Sequence, residues 1–164
     1  MVSKMINSKK DYSLNEAESA YLIFRWIAQN IYANFYDEDL DDPIKAYNLG
    51  RGTPKSLSSL FNNICTFLKV ESDSISGYLK WTNINTDELE SKRRYTWNYV
   101  EIKGENYLLD LSMAADIEIK FVDFRYLYFG TEPEIFIRSH FPKESKWQLL
   151  SEHTHLKNLN LLLF

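Results

Sequence analysis

The spacing of apolar residues changes once along this chain, and that change limits the fold more than any other feature. Ala17, Ala20, Tyr21, Phe24, Ile27, Ala28 and Ile31 recur at helical spacing, which predicts a helix over 14–33. Ser13 and Glu16 stand three apart and read as its capping box. A second helix is expected from Thr53-Pro54, because Thr is a good N-cap and Pro suits the first helical position. Leu57, Leu60, Phe61, Ile64, Phe67 and Leu68 give it one apolar face. From about residue 75 the pattern becomes strand-like. Strands are expected over 75–81, 95–102 and 107–111, the last two joined by Lys103-Gly104-Glu105-Asn106 in a hairpin. Residues 121–129 read as strand or short helix, 134–138 as a helical turn, and 147–150 as a last strand. Helices followed by antiparallel strands make an α+β fold rather than alternating βαβ units.

Length and composition agree with one globular domain. The chain has 164 residues, read as a polar lead-in over 1–12 and a single domain over 13–164. Aromatics make up 15% of it, too much apolar surface for a disordered chain. A net charge of −4 gives no sign of a nucleic-acid partner. There is no apolar run long enough to insert in a membrane. The N-terminus lacks the apolar core of an intact signal peptide. The single cysteine, Cys65, excludes an intrachain disulfide and a multi-cysteine zinc site. These features together point to a cytoplasmic protein. The acidic run 37–43 lacks the glycine and ligand spacing of a calcium loop and reads as a solvated loop. The C-terminal Leu161-Leu162-Leu163-Phe164 reads as a packed strand or as the lead into a following segment.

Three segments carry a resemblance. The first is Gly52-Thr53-Pro54-Lys55-Ser56-Leu57-Ser58-Ser59-Leu60-Phe61, followed by Ile75-Ser76-Gly77-Tyr78. The second is Tyr95-Thr96-Trp97-Asn98-Tyr99-Val100-Glu101-Ile102-Lys103-Gly104-Glu105-Asn106-Tyr107-Leu108-Leu109-Asp110. The third is Tyr128-Phe129-Gly130-Thr131-Glu132-Pro133-Glu134-Ile135-Phe136-Ile137, with His140-Phe141-Pro142 and Trp147-Gln148-Leu149-Leu150 after it. Together they resemble the transglutaminase-like superfamily, which shares its core with papain-type cysteine peptidases. The third segment resembles the branch of the kyphoscoliosis peptidase and the fungal cytokinesis proteins. The resemblance implies a transglutaminase-like (papain-like) fold, with N-terminal helices packed on an antiparallel sheet.

It also implies nucleophilic chemistry. The family uses a Cys at a helix N-terminus, a His on the facing strand and an Asp that orients the His. Aligned on Leu60-Phe61, Pro54 stands at the Cys position. Aligned on Trp97-Asn98, Tyr95 stands at the His position, and only Asp110 matches. Proline carries no nucleophile, and tyrosine, with an ordinary pKa of about 10, is a poor base at pH 7. The Tyr95 hydroxyl is able to donate to Asp110, which would replace a catalytic contact by a structural one. The expectation is a pseudoenzyme without cofactor or metal, binding a protein or peptide partner, with Thr53, Pro54, Tyr95, Trp97 and Asp110 as cleft candidates. The alternative is an active acyl-transfer enzyme or peptidase with relocated catalytic residues.

Other candidates have plainer readings. Cys65 lies three turns into the second helix and reads as a buried residue. His140 reads as a hydrogen-bonded structural histidine. His153 and His155 have no third spaced ligand for a metal. Lys92-Arg93-Arg94 reads as a solvated loop. Phe121, Phe124, Tyr126, Tyr128 and Phe129 read as core.

Overall fold

The computed structural model describes residues 14–79, 95–115 and 127–154. Ser13, Lys92-Arg93-Arg94, Phe121, Phe124, Tyr126, His155 and 161–164 lie outside the described residues, as does the end of the strand expected over 75–81.

Helix α1 spans Glu16–Asn30. Its capping box is Asn15 with Glu18, not Ser13 with Glu16. The Asn15 side-chain oxygen accepts from the Glu18 N–H, and the Glu18 carboxylate accepts from the Asn15 N–H, both at 2.9 Å. Asn caps as well as Ser, so the two candidate boxes were chemically equal and the register decided between them. The helix also ends before residue 33. Ile31 turns extended, and Tyr32–Ala33 forms a short strand β1, parallel to β2 at Arg51–Gly52.

The acidic run is more ordered than a solvated loop. Asp37 caps a 3-10 turn over Glu38–Leu40, whose Leu40 is buried. Asp42 caps helix α2, Pro43–Leu49, by accepting from the Lys45 N–H at 2.6 Å. Asp before Pro at the first helical position is a start signal in its own right. Helix α3 spans Pro54–Leu68 with Thr53 as N-cap, as its sequence predicts.

Strands β3 (Ser72–Leu79), β4 (Tyr95–Ile102), β5 (Glu105–Leu109), β6 (Phe129–Thr131) and β7 (His140–Pro142) form one sheet in the order β6-β5-β4-β3-β7. Every neighbouring pair in it is antiparallel. The β4–β5 turn is tighter than expected. Only Lys103 and Gly104 lie outside the strands, both at positive φ (55° and 83°), the backbone of a two-residue hairpin turn. Strand β5 ends at Leu109 rather than 111, because the Asp110 carboxylate captures the N–H groups of Ser112 and Met113 and starts helix α4, Leu111–Ala114. The short helix α5, Pro133–Phe136, falls where a helical turn is expected. No strand forms over 147–150. Ser145–Gln148 is a 3-10 turn followed by Leu149 in the left-handed region, and β7 takes the sheet edge instead.

The sheet separates two cores. On one side α1 and α3 bury Phe24, Ile27, Leu57, Phe61 and Cys65 against Val100 and Leu109. On the other, Ile75, Leu79, Tyr95, Trp97 and Leu108 pack with Phe136. A side chain at Gly77 would overlap the Trp97 ring and the Phe141 carbonyl, so glycine is what lets β7 and Trp97 close together on β3.

Candidate functional site

Tyr95 opens β4 and Asp110 follows β5. The β4–β5 register pairs Asn98 with Leu109. Continued one step, it sets Asp110 opposite Trp97 and diagonal to Tyr95, within reach of a long side chain. The Tyr95 hydroxyl donates to the Asp110 carboxylate, 2.8 Å from Oδ2 and 3.1 Å from Oδ1.

A third side chain joins them from thirty residues away. Strand β7 pairs with β3, and β3 with β4. This crossing brings His140 Nε2 to 2.7 Å from Asp110 Oδ2. An ionised carboxylate only accepts, so Nε2 carries the proton. The other ring nitrogen, Nδ1, lies 2.8 Å from the Ser139 hydroxyl. The ring is stacked on Phe136, with centroids 3.9 Å apart, and meets the Trp97 ring edge-on at 5.3 Å. These contacts fix its orientation.

Asp110 is fully buried, and its acceptor capacity is consumed. Oδ1 accepts from the Ser112 and Met113 N–H groups at 2.8 and 3.0 Å, while Oδ2 takes His140 and the shorter Tyr95 bond. A carboxylate has about four lone-pair sites, and four donors occupy them. Burial, reinforced by the Asp110 charge and hydrogen bond, holds the Tyr95 hydroxyl well above its ordinary pKa. Tyr95 is therefore a neutral donor at physiological pH and not a base. Its ring is 6% exposed and is stacked on Phe35.

The remaining cleft candidates divide between two places. Trp97 is buried beside Tyr95, and its indole N–H has no hydrogen-bond partner among the described residues. Thr53 and Pro54 lie at the N-terminus of α3. There the Thr53 hydroxyl donates to Asp41 Oδ1 at 2.5 Å and accepts from the Ser56 N–H. Lys55 Nζ reaches Asp41 Oδ2 at 3.1 Å. Thr53 is buried and Pro54 half-buried, so the Asp41 loop is tied onto the start of this helix.

Cys65 is buried in the helix-side core, and burial pushes its thiol up to about 12, against a smaller lowering by a hydrogen bond to Ser72. A thiol of that pKa supplies almost no thiolate nucleophile at neutral pH. Among the described residues no three His, Cys, Asp or Glu side chains converge to hold a metal ion. No described helix is long and apolar enough to cross a membrane. Sequence reasoning marked His140 as hydrogen-bonded without finding its partner, since no local pattern links it to Asp110.

No family model matches the chain. It is 23% identical to kyphoscoliosis peptidase of Mus musculus, over 95% of this chain and 25% of that protein. It is 27% identical to kyphoscoliosis peptidase of Homo sapiens, over 87% of this chain and 23% of that protein. Hillarin of Drosophila melanogaster is 27% identical over 91% of this chain and 21% of its own length. The chain thus spans about a quarter of the length of these curated relatives. Among solved structures, that of a TGase superposes with a TM-score of 0.49 at 11% identity, over 68% of this chain and 30% of the other. By its motifs and its curated relatives alike, the chain is related to the kyphoscoliosis-peptidase branch of the transglutaminase-like superfamily.

Proposed function

We propose that this chain, as one domain over 13–164, has lost the cysteine-based acyl-transfer chemistry of its family and serves as a protein- or peptide-binding or scaffolding module. The observation that carries this reading is the bonding of Asp110. The residue that would orient a catalytic His instead accepts from a buried Tyr95 hydroxyl and from His140. Pro54, at the motif's nucleophile position, supplies no thiol. A single buried and unpaired Cys65 supports a reducing, cytoplasmic setting. The test is to incubate the purified chain with a protein substrate, with and without a primary amine. Neither peptide cleavage nor amine incorporation is expected. Turnover that disappears on Tyr95→Phe would overturn the reading.

One observation favours the alternative of relocated catalysis. Asp110, His140 and Ser139 form a hydrogen-bonded chain at 2.7 and 2.8 Å, and Ser139 is half-buried. A carboxylate, an imidazole and a hydroxyl in that order are the parts of a nucleophilic serine site. Labelling of the folded chain by a fluorophosphonate at Ser139, lost in Ser139→Ala, would establish it. An unlabelled Ser139 removes it.

A further inference from the structure

Strand β4 runs from the sealed cluster onto an open stretch of the same sheet face. Side chains alternate along a strand, so Tyr95, Trp97, Tyr99 and Glu101 share one face. The β3–β4 register sets Asp73 opposite Tyr99. Two residues further, beyond the Ser72–Val100 pair, it sets Glu71 opposite Glu101, whose N–H donates to the Glu71 carbonyl at 2.9 Å. Tyr99 is stacked on Trp147, with centroids 4.3 Å apart and planes at 23°. Both rings are half-buried, while Glu71 and Asp73 are exposed and Glu101 is half-buried.

Two features of this platform point outward. The first is charge. Like charges directly opposite on neighbouring strands destabilise a sheet, and among the described residues no cation pairs with Glu71, Asp73 or Glu101. The Tyr99 pKa is raised, first by burial and then by Asp73, Glu71 and Glu101, against a smaller lowering by Lys146, so the potential of all three carboxylates reaches the ring. The second is that the platform already carries an ammonium group on one side. Lys146 Nζ lies 4.9 Å from the centroid of the Trp147 ring, within the range of a cation–π contact.

We propose that the Tyr99–Trp147 platform, rimmed by Glu71, Asp73 and Glu101, docks a Lys/Arg-rich segment of a partner protein. This inference rests on the reading of the chain as a binding module and names the chemistry of its partner. Aromatic faces take up guanidinium or ammonium groups, and the carboxylate rim speeds their encounter and excludes acidic segments. The sealed Tyr95 cluster lies on the same face of β4.

The test titrates the full chain with a short fluorescein-labelled peptide of alternating Lys, Arg and Gly, and with a matched Glu–Gly peptide. The basic peptide is expected to bind saturably, to quench tryptophan fluorescence and to weaken as salt is raised. The acidic peptide is expected not to bind. The double variant D73N/E101Q should lower affinity for the basic peptide about tenfold or more. Its melting temperature should match or exceed that of the parent, because a like-charge contact is relieved. Failure of the parent chain to bind the basic peptide, equal binding of both peptides, or undiminished binding by the folded double variant would each overturn the proposal. Cleavage or cross-linking activity would sink the inactive reading and leave this binding result standing.

Discussion

Along β4, Asn98 and Val100 face the helices, whereas Tyr95 and Trp97 face α5 and β7. Each side buries polar chemistry, but by different means. On the helix side, the Asn98 amide donates to the Ser58 carbonyl at 3.2 Å and to Asn62 Oδ1 at 2.9 Å. Asn62 in turn bonds Ser72 and Ser74. The Asn98 side-chain oxygen has no partner among the described residues. On the other side the Asp110 carboxylate meets a donor at every lone pair. A neutral amide tolerates an open valence at modest cost, while a buried charge does not. The comparison teaches that a buried carboxylate is tolerated where every lone pair is met. With Tyr95 and His140 bonded to it, Asp110 is a structural joint between β4, β5 and β7.

The largest test of that contrast is Asp110→Ala. It strands the Tyr95 hydroxyl, the His140 N–H and two backbone donors, and should cost about 3–5 kcal/mol in urea unfolding. A loss below that of a neutral hydrogen bond would mean the cluster is not a joint. Next comes Asn98→Ala on the helix side, which removes the two hydrogen bonds to the Ser58 carbonyl and Asn62 Oδ1 and should cost about 1–3 kcal/mol. If it matched or exceeded Asp110→Ala, the distinction between charged and neutral burial would fail. Tyr95→Phe removes one donor of four and keeps the ring, so about 1 kcal/mol is expected, with melting temperature as the readout.

A smaller effect should emerge at alkaline pH. The folded-state pKa values of Cys65 and Tyr95 are both raised. Each group therefore contributes stability that is complete below its unfolded pKa and is lost as pH climbs toward the folded value. For Cys65 the window runs from an ordinary 9.0 to about 12; for Tyr95 the loss begins above about 10. Melting temperature should fall across this range, and less steeply in Cys65→Ala and Tyr95→Phe. A slope unchanged by both substitutions would assign the fall to other groups. The smallest effect belongs to the Asp41 tie. Lys55 is largely exposed, so Lys55→Ala should cost no more than about 0.5–1 kcal/mol in the same unfolding assay.

Much of this was legible in the chain itself. Helical spacing and Thr53-Pro54 located α3 to the residue, because caps and periodicity are local physics. The family motif suggested that the Tyr95 hydroxyl reaches Asp110, but the two-residue turn that fixes their register is shorter than the four-residue turn expected from the sequence. Other features escaped for equally physical reasons. Ser13 and Asn15 are comparable caps, so composition alone could not choose between them. The Tyr32–Ala33 strand depends on pairing with Arg51–Gly52 across two intervening elements. Residues 147–150 alternate like a strand, yet the edge they would occupy is taken by His140–Pro142.

The sequence by itself determined the α+β class, the family resemblance, and the identities of Pro54, Tyr95 and Asp110 within the motifs that carry it. Those follow from residue identity and from spacing within one element or one hairpin. Only the tertiary structure decided what Asp110 does. Its partner His140 lies on β7, with β4 and β3 between that strand and β5, and no periodicity reports strand order. Long-range pairing is chosen by the balance of burial and chain closure over the whole domain, and that balance made Asp110 the anchor of a closed hydrogen-bond cluster.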